Sequence, residues 1–176
     1  MGVQLIFVVE TNKKCGSDWI YIKETIERFY TYERTQLKFT PIYMDGKGKY
    51  LKKEADVKSK ERQYCAMSKS NQSKVIYCFD CDEYNRKPED ADFLKNARKF
   101  CEDRGYEFVW FCKDIENVYI GERIDDSQKK KEAVNFKSRK LISRVIEKNL
   151  SQNNYKIASS NILNALDKCS GLIRKN

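Results

Sequence analysis

The chain has 176 residues, a formal charge of +9, 40% hydrophobic and 35% charged residues, seven cysteines and no histidine. This composition suits one soluble globular domain with a heavily charged exterior rather than a disordered chain, and the length is that of one ordinary domain. Without histidine, Ser-His, Cys-His and zinc-His sites are also excluded, which leaves carboxylates holding a hard cation as the route to hydrolytic chemistry.

Val3 to Val9 is almost continuously apolar, as in a strand buried on both faces of a parallel sheet, and it ends on Glu10. After the polar loop Thr11 to Gly16, with Lys13 and Lys14, Ser17 is a plausible helix cap. Trp19, Ile22, Ile26 and Phe29 then recur at helical spacing. A second strand is expected over Leu37 to Met44. Its Pro41 has no N–H for a ladder hydrogen bond, so an edge position or a bulge is expected. Asp45-Gly46-Lys47-Gly48 reads as a turn and lacks the spacing of a phosphate-binding loop.

A basic, helical stretch follows from about Lys52 to Met67. Its Lys52, Lys53, Lys58, Lys60 and Arg62, together with Lys13 and Lys14, are candidate phosphate contacts; a solvated helix face is the plainer alternative.

The third strand, Lys74 to Asp82, carries Asp80 and Asp82 at its end. If strand geometry persists that far, residues two apart share a face and the two carboxylates form a candidate cation clamp. By the same rule Cys78 and Cys81, three apart, face opposite ways and do not share a metal. Pro88 opens a helix with an apolar stripe through Phe93, Leu94, Ala97, Phe100 and Cys101, and Gly105 closes it. The fourth strand, Tyr106 to Cys112, runs into Lys113 to Gly121, where Glu116 stands beyond a third strand end.

This order predicts an α/β fold with a mostly parallel, four-stranded, Rossmann-like sheet flanked by helices. The core spans residues 1–121. Residues 122–176 form a basic linker ending in Lys129-Lys130-Lys131, then two helices packed on the same domain, about Glu132 to Asn149 and Ser160 to Leu172. Glu10, Asp80, Asp82 and Glu116 then meet at the carboxyl edge of the sheet, where open α/β sheets hold their ligands. Mg²⁺ or Mn²⁺ is the cation such carboxylates suit.

A Glu after the first strand and Asp-x-Asp after the third resemble the Toprim domain of topoisomerases, primases and overcoming-lysogenization-defect nucleases. The chain is most similar to the small Toprim-like RloB family of prokaryotic defence loci, over Val3 to Gly121. The Glu10 loop departs from that family in lacking a Gly after the acid and a Thr-Glu pair. The resemblance implies a metal-dependent nuclease cutting phosphodiester bonds in RNA, tRNA or DNA, with an ATPase partner encoded alongside. It implies that Asp80 and Asp82 bind the metal, that Glu10 binds it or acts as general acid/base, and that Glu116 holds a second ion. The basic balance favours a nucleic-acid partner. No apolar run reaches the ~18 residues of a membrane helix, and the chain is read as cytoplasmic. The alternative is a non-catalytic module of Toprim or receiver type that binds nucleic acid or an ATPase. A haloacid-dehalogenase-type phosphatase ranks last, because its Asp-x-Asp follows the first strand.

Overall fold

The computed structural model describes residues 2–175. Its centre is a sheet of five strands in the order β3-β1-β4-β5-β6, formed by β1 (Val3–Val9), β3 (Leu37–Tyr43), β4 (Gln72–Asp80), β5 (Glu107–Cys112) and β6 (Ser159–Ser160). Every pairing is parallel except β5 with β6. The expected four parallel strands are present, and the two-residue β6 is added at one edge.

The strands alternate as a sheet with both faces covered must. From β1, Leu5, Phe7 and Val9 enter one core while Ile6 and Val8 enter the other. Ile76 and Cys78 of β4 join the first core, and Val75, Tyr77 and Phe79 the second. Helix α1 (Ser17–Phe29) covers the first face with Tyr21, Ile22, Ile26 and Phe29. Helices α2 (Glu54–Met67) and α3 (Pro88–Arg104) cover the other through Val57, Leu94, Ala97 and Phe100. The chain passes from β3 on one side of β1 to β4 on the other, so the winding reverses beside β1. This switch point opens a crevice at the carboxyl ends of β1 and its neighbours. Pro41 lies in β3, an edge strand that tolerates a missing donor.

The C-terminal third differs from the expected two helices. Helix α4 (Ile115–Tyr119) is one turn, and α5 (Lys129–Ser138) begins inside the stretch read as a linker. The expected helix through Asn149 stops at Ser138 because Lys140 takes a left-handed backbone, φ +53°. Short 3-10 turns follow at Leu141–Arg144 and Glu147–Leu150. Ile142, Val145 and Leu150 are buried in this segment, while Val134 and Ile146 are exposed.

The second expected helix shrinks to α6 (Ile162–Leu166). Its start is fixed by Asn161, which acts as a side-chain strand on the edge of β5. Its Oδ1 accepts the Trp110 N–H at 2.9 Å and its Nδ2 donates to the Phe108 carbonyl at 2.9 Å. Two further strands, β2 (Tyr30–Thr31) and β7 (Ile173–Arg174), pair antiparallel and tie the chain's end to α1. Ala133, Phe136, Leu163 and Leu166 share the core of Leu5 and Phe7, so the C-terminal segments pack on the sheet itself. Among the described residues, no helix is long and apolar enough to cross a membrane.

Candidate acidic cleft at the switch point

Glu10 leaves the end of β1 beside the last residue of β4, and its Oε1 accepts the Asp80 backbone N–H at 2.8 Å. Asp80 shares the parity of Ile76 and Cys78, which directs it to the face covered by α1. Its Oδ1 accepts the Ile115 N–H at 3.0 Å, at the start of α4. Each carboxylate thus commits one oxygen to backbone.

A cleft of about 340 Å³ opens over the pair, lined by Glu10, Asp80, Asp18, Asp45 and Asp126, with Lys129 as its one lining cation. Asp18, at the first turn of α1, was not singled out in the sequence. It is buried, and its Oδ2 accepts the Thr11 N–H at 3.1 Å, folding the Glu10 loop over the helix start. That loop contains no acid of its own, and Asp18 brings one to it from the helix that follows. The signal was an acid in the first turn of a helix, a common feature favoured by the helix dipole that gives no sign of a site by itself.

Glu116 lies deeper. It is fully buried on α4, neither carboxylate oxygen has a hydrogen-bond partner, and Lys129 Nζ stands 3.8 Å from Oε2. Lys129 belongs to the triple-lysine run read as the end of a linker; it opens α5 and lines the cleft.

Asp82 goes elsewhere. Strand geometry ends at Asp80, and Asp82 has φ +47°, so the expected alternation does not carry its side chain beside that of Asp80. Its Oδ2 instead takes a hydrogen bond from Lys47 Nζ, which also donates to Asp90 Oδ1 at 2.9 Å. Lys47, in the turn set aside as a phosphate loop, is therefore an internal tether between two acids.

Electrostatics follows from burial. Desolvation, with the charges of Asp18 and Asp82, pushes Glu10 up to about 8 despite the Asp80 N–H. Burial also raises Asp80 well above the usual carboxylate range, and Glu10, Asp18 and Glu116 add repulsion. Asp18 is raised by burial, and Glu116 is pushed up to about 7 although Lys129 opposes the shift. Burial alone would lower Lys129, but the charges of Glu116 and Asp80 reverse this and hold its proton tightly.

The candidate phosphate contacts spread widely. Lys13 and Lys14 are exposed in the loop bordering the cleft, and the Lys14 carbonyl accepts Lys130 Nζ at 3.0 Å. Lys52 is exposed before α2, and Lys53 pairs with Asp56 at 3.2 Å. Lys58 pairs with Glu61 at 3.0 Å and lines a different cavity, with Val3, Gln72 and Tyr106 at the amino edge of the sheet. Lys60 and Arg62 are exposed, and Lys60 borders the flank of β3.

Among the described residues, no three acids or thiols stand close enough to hold a metal ion jointly as placed. A magnesium ion needs only one or two carboxylates and takes its other ligands from water and phosphate, so Glu10 and Asp80 fit that lower requirement. Compared with protein-family models, curated proteins and solved structures, the chain matches none of them.

Proposed function

We propose that the chain is a Toprim-like, divalent-metal-dependent nuclease of RloB type, cleaving phosphodiester bonds in nucleic acid at the Glu10–Asp80 cleft. The observation that carries this reading is the burial of mutually repelling carboxylates at a switch-point crevice with one lysine among them. Such an arrangement is costly for the fold and suits a cation.

In this reading Mg²⁺ or Mn²⁺, when bound, polarises the scissile phosphate and acidifies a bound water. Glu10 and Asp80 would hold the cation; each has one oxygen that no backbone N–H engages. Burial raises Glu10 to about 8, so a bound cation would favour its ionised form. Asp18 and Glu116 add negative charge behind these ligands. Asp82, held by Lys47, serves the site as a neighbouring charge. Lys129, which lines the cleft, would stabilise negative charge developing on the phosphate, and the exposed Lys13 and Lys14 would contact the nucleic-acid backbone. An ATPase partner is implied by the family resemblance alone.

A second reading, a binding module whose acids are structural, is favoured by the absence of a three-ligand cluster among the described residues. Calorimetric titration of Mn²⁺ into the wild-type protein and into the Glu10→Gln/Asp80→Asn variant separates the two. Saturable binding lost in the variant, followed by Mn²⁺-dependent cleavage of tRNA, single-stranded RNA or DNA, supports the nuclease. Equal heats from two folded proteins would sink it.

A further inference from the structure

The two cysteines of the Cys78-x-x-Cys81 run face opposite sides of the sheet, Cys78 in the core beneath α1 and Cys81 in the core beneath α3. Cys81 meets another thiol there. Its Sγ lies 3.3 Å from that of Cys112, 31 residues later in the chain.

The sheet sets this meeting. The last register pair of β4 and β5 is Asp80 with Phe111, so Cys81 falls opposite Cys112. Hydrogen bonds between the two segments continue past the strand end, from Cys81 N–H to the Phe111 carbonyl at 2.8 Å and from Asp82 N–H to the Lys113 carbonyl at 2.6 Å. Neighbouring strands lie ~4.8 Å apart, within the Cα span that a disulfide bridges. Closing the bond to ~2.05 Å asks for about 1.3 Å of sulfur approach.

Both thiols are buried in the core on this face of the sheet. Tyr84 and Tyr155 pack on it, their ring centroids 5.1 Å apart, and both line a surface groove of about 440 Å³. Tyr84 sits in the turn after β4, and Tyr155 in the irregular segment before β6. Neither belongs to a helix or a strand, the regions where local opening is least costly.

We propose that Cys81 and Cys112 form an oxidisable dithiol, closed to a disulfide by a hydroperoxide and reopened by a thiol reductant. One sulfur attacks the peroxide: an S–O bond forms, the O–O bond breaks, and water or an alcohol departs. The second sulfur then displaces the sulfenic oxygen as water, forming the S–S bond. With hydrogen peroxide, two thiols and one peroxide yield one disulfide and two waters. Thiol–disulfide exchange with the reductant reverses the bond. The bridge would pin the Asp80–Asp82 turn to the strand end leading to Ile115 and Glu116. That consequence rests on the proposed function; the dithiol does not.

The test is to treat the folded protein with hydrogen peroxide at low protein concentration, block residual thiols, digest without reductant and map peptides by mass spectrometry. The expected result is a Cys81–Cys112 linked peptide that disappears with dithiothreitol and does not form in Cys112→Ser. Recovery of both residues as blocked thiols, or of either as sulfinic acid without a linked peptide, overturns the proposal. Should Cys112→Ser not fold, the wild-type map decides alone.

Discussion

The backbone N–H of Asp80 donates to Glu10 Oε1 at 2.8 Å, so the acid ending β1 caps the residue ending β4. Glu10 therefore combines a neutral role, accepting one backbone hydrogen bond, with a charge that its surroundings oppose. These separate on substitution. Glu10→Gln keeps the acceptor and removes the charge, and is expected to stabilise the metal-free protein at pH 8 by roughly 1–2 kcal/mol in urea unfolding while losing Mn²⁺ binding. Glu10→Ala loses the acceptor as well and is expected to be less stable than Glu10→Gln. Equal stabilities for the two variants would remove the hydrogen bond from the account.

The raised carboxyls also set a pH dependence. Glu10 is pushed from an ordinary 4.5 to about 8, and Glu116 from 4.5 to about 7, so between these limits the folded state binds more protons than the unfolded one. Stability then falls as pH rises through that window and is greatest at its acid end. In the presence of a chelator the melting temperature is expected to drop by ~5 °C or more from pH 5 to pH 8. Saturating Mn²⁺ flattens the slope, because the cation stabilises the ionised carboxylates. A melting temperature that rises over this range in chelator would contradict the buried-acid electrostatics.

Much of the sheet and part of the cleft were legible in the sequence. Apolar runs ending on Glu10 and Asp80 gave two strands and their adjacent acids, because a parallel strand is buried on both faces and its register leaves the ends together. What escaped depended on where local geometry stops. Asp82 shares the parity of Asp80, but the strand ends between them and a left-handed backbone turns the second acid to Lys47. Asp18, Lys129 and the Cys81–Cys112 pair are brought in by tertiary packing, for which no spacing in the sequence is a signal. Two local features likewise limit the C-terminal helices: Lys140 turns left-handed after Ser138, and Asn161 satisfies the edge of β5 with its side chain before α6, neither of which helical periodicity reveals.

Asn161 yields a direct prediction. Replacing it with Ala strands one N–H and one carbonyl on the edge of β5, with expected cost of about 1–3 kcal/mol in chemical denaturation. Asn161→Asp retains the acceptor for Trp110 N–H but sets a carboxylate oxygen against the Phe108 carbonyl, and is expected to be no better than Ala. A near-neutral Asn161→Ala would mean that water replaces both bonds.

The two aspartates of the Asp-x-Asp sequence are expected to be unequal. Asp80 lines the cleft, whereas Asp82 is paired with Lys47 outside its lining. Asp80→Asn should abolish measurable Mn²⁺ binding, and Asp82→Asn should weaken it by less than about tenfold, the size of a neighbouring-charge effect. Lys47→Met supplies the converse, since it frees Asp82 to turn toward Glu10 and should strengthen Mn²⁺ binding. Equal losses at Asp80 and Asp82 would show that the cation draws both residues in.

The spread of lysines predicts graded effects on nucleic-acid affinity. Lys13 and Lys14 border the cleft, whereas Lys58 faces the amino edge of the sheet and is already paired with Glu61. A strand held at the cleft therefore releases counterions from the first pair and few from Lys58, Lys60 or Arg62. Neutralising Lys13 and Lys14 together should reduce the slope of log affinity against log salt by about 1.4 for a single strand, or ~0.7 per contact. The same change at Lys60 and Arg62 should leave the slope nearly unaltered. Fluorescence anisotropy with a catalytically blocked variant, across a salt series, measures both. The reverse ranking would move the nucleic-acid path from the acidic cleft to the outer face of α2.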